Sequence, residues 1–278
     1  MNFFRYWLWI IVLLAFSLKG CIPDDELSKP VVVDLFLQTD GNTSGSNHIL
    51  IHNVYFAFNS ISFYGIRQEG SDIFFQSEPS VESGSYMLNP ASNMQLASFD
   101  IPQGVYNQMK WELLTRNLPP GFVNEPFTEL FLSPFGGSQN FGMIITAEFR
   151  EEPDDEPVNV ILGVESNNIF SFFTTTANEQ TPELQSPRSF RVDLLINFYQ
   201  ALTSIEPEAW DDAYIREYEF DDDDDNDDND DNDDGDDNNS DDSDEDEIDY
   251  MIITSSENQV LYERILFRIE SNLTSTIE

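Results

Sequence analysis

Residues 105–114 read VYNQMKWELL and carry the clearest two-residue alternation in the chain. One side of the pattern holds Val105, Asn107, Met109, Trp111 and Leu113, and the other holds Tyr106, Gln108, Lys110, Glu112 and Leu114. Successive side chains of a strand point to opposite faces, so this alternation predicts a β-strand. Pro102-Gln103-Gly104 supplies the fixed φ and the permissive residue that a tight turn needs, so a turn is predicted just before the strand.

Comparable apolar segments recur on both sides of this strand, separated by Gly, Pro and Asn. They predict strands at residues 31–37, 49–64, 72–75, 86–88, 96–101, 127–132, 143–149, 158–164, 169–174 and 190–198. Within the second of these, Val54, Phe56 and Phe58 are predicted to share one face, opposite Tyr55, Ala57 and Asn59. β-Branched and aromatic residues, including 23 Phe, favour sheet over helix.

Short strands at regular spacing favour two amphipathic sheets that bury each other's apolar faces. The predicted fold class is therefore mainly β, with an antiparallel β-sandwich domain at residues 31–198. The charged, proline-bounded segment 151–157 is predicted to be a hairpin tip, with a domain boundary as the alternative.

The apolar period changes after Phe198, which predicts a C-terminal helical appendage at residues 199–278. Tyr199, Leu202 and Ile205 are spaced by three, and Pro207 suits a first helical turn, so a helical hairpin is expected there. Residues 260–273 fit either period. A cap at Ser255 or Ser256 favours a terminal helix.

The N-terminal residues 1–20 have a charged start and a short apolar middle, typical of a secretory signal peptide. Leu18-Lys19-Gly20-Cys21 resembles the lipobox of bacterial lipoproteins, although Lys19 stands where a small uncharged residue is usual. The resemblance implies lipidation of Cys21, the only cysteine, and membrane attachment through its acyl chains. The alternatives are an ordinary thiol after a common signal, or part of an uncleaved anchor.

Residues 21–30 are polar and proline-bounded, which predicts a flexible tether. The acidic residues 24–26 in it resemble the export signal of Bacteroidota-type surface lipoproteins, with a chance acidic spacer as the alternative. The expected localisation is the outer membrane, by a lipid anchor, on the cell surface.

The formal charge of −41, with only 12 Lys and Arg, excludes a nucleic-acid partner, because phosphate binding needs clustered basic residues. With its one cysteine assigned to the anchor, the mature chain is expected to contain no disulfide and no catalytic thiol. Stability must therefore come from packing.

Residues 221–247 contain 19 carboxylates and no apolar side chain, which predicts a disordered acidic insertion that collects divalent cations weakly. One register fits an EF-hand-like calcium loop, with ligands at Asp230, Asn232, Asp234, Asp236 and Asp241. A run this acidic produces such a register by chance. Asp237 also stands where a packing aliphatic residue is expected, so an ordered calcium site is the less favoured interpretation.

Few residues suggest catalysis. His48 and His52 lie in strand-like sequence, where residues four apart are separated by about 13 Å, too far to share a metal. There is no Gly-x-Ser-x-Gly elbow, and carboxylate pairs are uninformative in so acidic a chain. Four aromatic residues could stack on a sugar if exposed, although such residues are more often buried: Trp111, Trp210, Tyr214 and Tyr218.

Residues 54–114, with the turn SFDIPQGVY at 98–106, resemble the uncharacterised β-sandwich lipoproteins of Bacteroidota, which combine an immunoglobulin- or transthyretin-like sandwich with a lipobox. The resemblance implies that Ile-Pro-x-Gly-x-Tyr marks the start of a central strand. It implies no reaction. The expected function is a non-enzymatic, surface-anchored binding or adhesion module that could hold a glycan or a protein. The alternatives are a calcium-responsive structural envelope protein and a carboxylate-based carbohydrate-active enzyme.

Overall fold

The computed structural model of the protein describes residues 29–40, 48–77, 84–88, 92–123, 140–152, 154–176, 181–218 and 248–278. Strands make up 59% of the described residues, which confirms the predicted mainly β class. The strands are β1 (Pro30–Thr39), β2 (Ile49–Arg67), β3 (Ile73–Ser77), β4 (Ser85–Leu88), β5 (Asn93–Pro102), β6 (Gly104–Thr115), β7 (Phe141–Phe149), β8 (Val158–Glu165), β9 (Ile169–Thr176), β10 (Glu183–Leu184), β11 (Phe190–Ile196), β12 (Ile215–Tyr218), β13 (Ile248–Ile253) and β14 (Leu273–Ile277). The helices among these residues are α1 (Phe198–Thr203), α2 (Glu208–Asp211) and α3 (Gln259–Ser271).

The strands form one mixed sheet in the order β12-β13-β8-β7-β2-β6-β9-β14-β11-β1-β5, and the short strands β3, β4 and β10 pair beside this path. Most neighbours are antiparallel. The purely antiparallel prediction is nevertheless wrong, because β1 pairs parallel with β11, β8 with β13 and β9 with β14. These partners are far apart in sequence, and alternation within a strand gives no information about the direction of its neighbour.

The sheet folds over so that distant strands enclose one core. Phe99 of β5, at one end of the strand order, lies 5.5 Å between ring centroids from Trp111 of β6 in the middle. Phe75 of β3 joins the same cluster, 5.0 Å from Phe99. The sandwich arrangement itself remains a prediction.

The long strand β2 changes partners along its length. Its first half pairs with β7 and β4, and its second half pairs with β3 and β6. From Val54 to Phe58 both faces of the strand are buried. Val54, Phe56 and Phe58 lie in the main core, whereas Tyr55 and Ala57 lie in a second cluster. The prediction that the first three share one face is confirmed.

The turn predicted at Pro102-Gln103-Gly104 forms a corner between β5 and β6. Gly104 has a φ of +146°, which favours glycine. The Tyr106 hydroxyl donates a 2.6 Å hydrogen bond to the Pro102 carbonyl. Gln103 is buried and donates to the Lys29 carbonyl at 2.7 Å, so the corner also holds the start of β1.

Tyr106 is buried in the main core together with Met109 and Trp111. Strict alternation predicts it on the other face of the strand. The prediction fails because Arg67 pairs with Tyr106 while Ile66 pairs with Gln108, leaving Asn107 as an extra residue. A β-bulge of this kind shifts the side-chain pattern by one residue.

The helical prediction for residues 199–278 is confirmed for α1, α2 and α3 and wrong for the three strands β12, β13 and β14. β14 lies inside the sheet between β9 and β11, so residues 199–278 are not a separate appendage. Short strands that pair within a large sheet need little alternation of their own, because neighbouring strands supply their hydrogen bonds. The predicted serine cap is also wrong, since Asn258 occupies the N-cap position of α3.

The described helices are too short or too polar to cross a membrane.

Candidate binding surface

Several predicted site residues lie outside the described residues. These are Cys21 with its signal peptide, the predicted strand 127–132, and the proposed calcium ligands Asp230, Asn232, Asp234, Asp236 and Asp241. Within the described ranges, no group of three or more His, Cys, Asp or Glu side chains is close enough to hold a metal ion.

The two histidines contact different partners along the β2–β7 pair. His52 Nε2 lies 3.0 Å from Glu148 Oε1, and His48 Nδ1 lies 3.1 Å from the Arg150 carbonyl oxygen. Each ring therefore has its own partner on or next to β7.

The tryptophans that were considered for sugar stacking are core residues. Trp111 is fully buried, and Trp210 is 3% exposed and stacks on Phe149 at 5.3 Å. Tyr214 is exposed on the connection before β12, where Asn258 accepts a hydrogen bond from its backbone N–H at 2.8 Å. The Tyr218 side chain lies outside the described residues.

A different set of aromatic side chains forms an exposed surface on the outer face of β3, β2, β6 and β9. We call the side chains that lie side by side across these four strands the aromatic row: Phe74, Tyr64, Lys110 and Phe173. Tyr64 pairs with Phe74 on one side and with Lys110 on the other, and Lys110 pairs with Phe173. Phe74 is 58% exposed, Phe173 52% and Tyr64 38%, so three rings face solvent together.

The members of the aromatic row touch one another. The Tyr64 and Phe74 ring centroids are 4.8 Å apart. The Lys110 ammonium lies 5.7 Å from the Tyr64 centroid and 5.6 Å from the Phe173 centroid, within cation–π range of both rings. Lys110 thus fills the gap between the two aromatic groups and makes the row continuous.

The aromatic row contains one charged side chain, Lys110, and its charge is balanced by Glu112. The Lys110 ammonium donates to Glu112 Oε1, so the two opposite charges are paired. Partial burial, together with the charge of Glu112 and a hydrogen bond to it, raises the pKa of the Tyr64 hydroxyl. Tyr64 is therefore a neutral hydrogen-bonding phenol at physiological pH.

A second set of side chains runs parallel to the aromatic row, two residues further along each strand. This polar row consists of Gln76, Ser62, Glu112 and Ser171. The strand register places Ser62 beside both Gln76 and Glu112, and Glu112 beside Ser171. Ser62 is buried, so the groups of the polar row that a ligand can reach beside the exposed rings are Gln76, Glu112 and Ser171.

The core fixes the aromatic row from beneath. Each exposed ring adjoins an inward-facing aromatic residue in sequence, namely Phe63, Phe75 and Phe172. The Phe63 centroid lies 4.7 Å from Trp111 and 5.0 Å from Phe75. Packing of this kind restricts the backbone that carries the outer rings, so the row is presented in one arrangement.

Two cavities of about 230 and 310 Å³ flank α3 and share Arg264 as a lining residue. Exposed Val260 and Phe267 border them. No residue of the aromatic row lines either cavity.

The fold and this surface define a class of mainly β protein with an exposed aromatic face. No protein-family model matches the sequence, and no curated protein or solved structure was found to be similar to it.

Proposed function

We propose that the protein is a non-enzymatic binding module, anchored to the outer membrane through lipid on Cys21 and displayed on the cell surface. The aromatic row is its ligand-contact surface. One observation carries the proposal: three rings of one row, Phe74, Tyr64 and Phe173, are exposed on the same face of the sheet. Exposing apolar side chains together is unfavourable unless a partner covers them, so such patches mark interaction sites.

The anchoring part rests on the sequence resemblance and on where β1 begins. Gln103 holds the Lys29 carbonyl at the corner of the sheet, so the preceding tether leaves from this corner. Nine extended residues reach about 30 Å, which is enough to keep a folded domain clear of a membrane surface. No observation among the described residues favours either the calcium-responsive or the carbohydrate-active enzyme alternative.

The anchor is tested in a bacterial host by comparing the wild-type chain with Cys21→Ser. Wild type is expected in the membrane fraction with incorporated palmitate, and protease added to intact cells should degrade it. Cys21→Ser should be soluble in the periplasm and unlabelled. Palmitate incorporation that survives the substitution would contradict the anchor, and protection of wild type from protease would contradict surface display.

The contact surface is tested by screening wild type and the triple variant Tyr64→Ser, Phe74→Ser, Phe173→Ser against panels of glycans and proteins. Binding by wild type is expected to be lost in the triple variant. The matched control replaces exposed apolar side chains elsewhere, with Val32→Ser, Val260→Ser and Phe267→Ser. A binder that the triple variant retains would show that the row is not the contact surface.

A further inference from the structure

Resting on the proposed function, we infer that the ligand of the aromatic row is a neutral, unbranched glycan chain that lies across the strands, with its sugar rings on Phe74, Tyr64 and Phe173. The inference combines the shape of the row, the chemistry of the polar row beside it and the charge of the molecule.

The shape suits an extended, narrow ligand. Adjacent strands of a sheet lie about 4.8 Å apart, so the four strands of the row span about 14 Å. The length matches a short oligosaccharide lying flat. A peptide could not add to β2 or β6, the two middle strands of the row, by backbone pairing, because both already have neighbours on both sides.

The two rows together match the chemistry of a sugar. A pyranose ring has an apolar face of C–H groups and a rim of hydroxyls. The C–H face can lie on exposed aromatic rings, while the rim can exchange hydrogen bonds with Gln76, Glu112 and Ser171 of the polar row. An acyl chain over the same surface would desolvate these polar groups without replacing their hydrogen bonds, which is unfavourable.

Charge argues for a neutral ligand. Lys110 of the aromatic row and Glu112 of the polar row form an ion pair, so these two side chains give the surface no net charge to attract an ionic polymer. The whole chain carries a formal charge of −41, which repels anionic glycans. A polycation would be attracted to many acidic parts of the chain and would not depend on the row.

The test measures binding of the detergent-solubilised full chain by isothermal titration calorimetry. The probes are neutral β-1,3-, β-1,4- and α-1,4-glucan oligosaccharides and mannan oligosaccharides, with polygalacturonate as the anionic probe and phosphatidylethanolamine vesicles as the lipid probe. At least one neutral oligosaccharide should bind. Each single change, Tyr64→Ser, Phe74→Ser or Phe173→Ser, should weaken that binding by about tenfold. Binding should persist in about 0.5 M NaCl, because a neutral ligand is not screened.

The Val32→Ser, Val260→Ser, Phe267→Ser variant should bind as wild type does, and circular dichroism should show that all variants are folded. Binding of polygalacturonate or vesicles that depends on the row would overturn the inference and leave the proposed contact surface standing. If wild type and the triple variant do not differ toward any probe or panel member, both the inference and the proposed contact surface fail.

Discussion

Tyr106 is the residue on which the corner between β5 and β6 depends. Its ring is fully buried, and its hydroxyl donates to the Pro102 carbonyl. Burial raises the pKa of Tyr106 to about 12, against a smaller lowering by nearby Arg67. A raised pKa means that the folded state favours the protonated phenol, so stability is complete below pH 10 and is lost as pH rises toward 12.

We predict that wild type loses up to about 3 kcal/mol of unfolding free energy between pH 10 and pH 12 through Tyr106. Burial also raises the pKa of Tyr86, Tyr250 and Tyr262, which adds loss of the same sign. Tyr106→Phe should be about 1–2 kcal/mol less stable at pH 7, because the Pro102 carbonyl loses its donor. Urea unfolding at several pH values should show a shallower alkaline decline for the variant. Equal declines would contradict the role of Tyr106.

The exposed rings of the aromatic row could have been predicted from single residues of the sequence. Phe63-Tyr64, Phe74-Phe75 and Phe172-Phe173 are aromatic doublets within strands. Because consecutive strand residues point to opposite faces, the two rings of each doublet lie on opposite sides of the sheet, and where the outer side is solvated one ring is exposed. What the sequence could not provide is their alignment, since β9 becomes a neighbour of β6 only through pairing between distant residues.

Strand β2 shows why the face of one part of a strand does not predict the face of the next part. Core positions are even-numbered at Val54, Phe56 and Phe58 and odd-numbered at Ile61 and Phe63. The change occurs at Asn59, an extra residue in the pairing with β6. Without this bulge, Tyr64 would point into the core. Nothing in the composition near Asn59 marks the bulge, because it results from how two strands meet.

A series of buried side-chain hydrogen bonds connects the three strands β6, β9 and β14. Trp111 Nε1 of β6 donates to Thr174 Oγ1 of β9 at 3.1 Å, and that hydroxyl lies 3.0 Å from Ser275 Oγ of β14. We predict that Thr174→Val destabilises the protein by about 1–3 kcal/mol, because it leaves the indole N–H and the Ser275 hydroxyl without this partner. The exposed neighbouring change Thr276→Val is the control and should alter stability by less than about 0.5 kcal/mol.

Chemical denaturation with Trp fluorescence measures both variants. Thr174→Ser retains the hydroxyl and should lie between Thr174→Val and wild type. If Thr174→Val matched Thr276→Val, the chain of hydrogen bonds would contribute nothing to stability.

The whole sheet depends on β14, which fills the space between β9 and β11. We predict that a chain ending at Ser271 fails to fold, because it leaves two unpaired strand edges in the middle of the sheet. A synthetic peptide of residues 272–278 should restore the sheet signal in circular dichroism. A peptide with Ser275→Asp and Ile277→Asp, the inward-facing positions, should not. A cooperative thermal transition in the shortened chain alone would refute this requirement.

The mainly β class could be predicted from the sequence, because each strand carries its own apolar pattern. The parallel pairing of strands could not be predicted. Val33 of β1 pairs with Phe190 of β11, and Ser275 of β14 pairs with Thr174 of β9. Contacts between residues so far apart leave no local signature, so the predicted boundary after residue 198 missed that the sheet continues into residues 248–277.

The position of β14 also determines when the sheet can close during protein synthesis. Residues 273–277 leave the ribosome after β9 and β11, yet the space between those two strands can be filled only by them. The central sheet therefore cannot close before residues 273–277 have been synthesised, and contacts of such long sequence separation form slowly. A chain that has not yet acquired β14 leaves β9 and β11 without the strand that joins them, so the topology itself delays closure of the sheet until these residues are available.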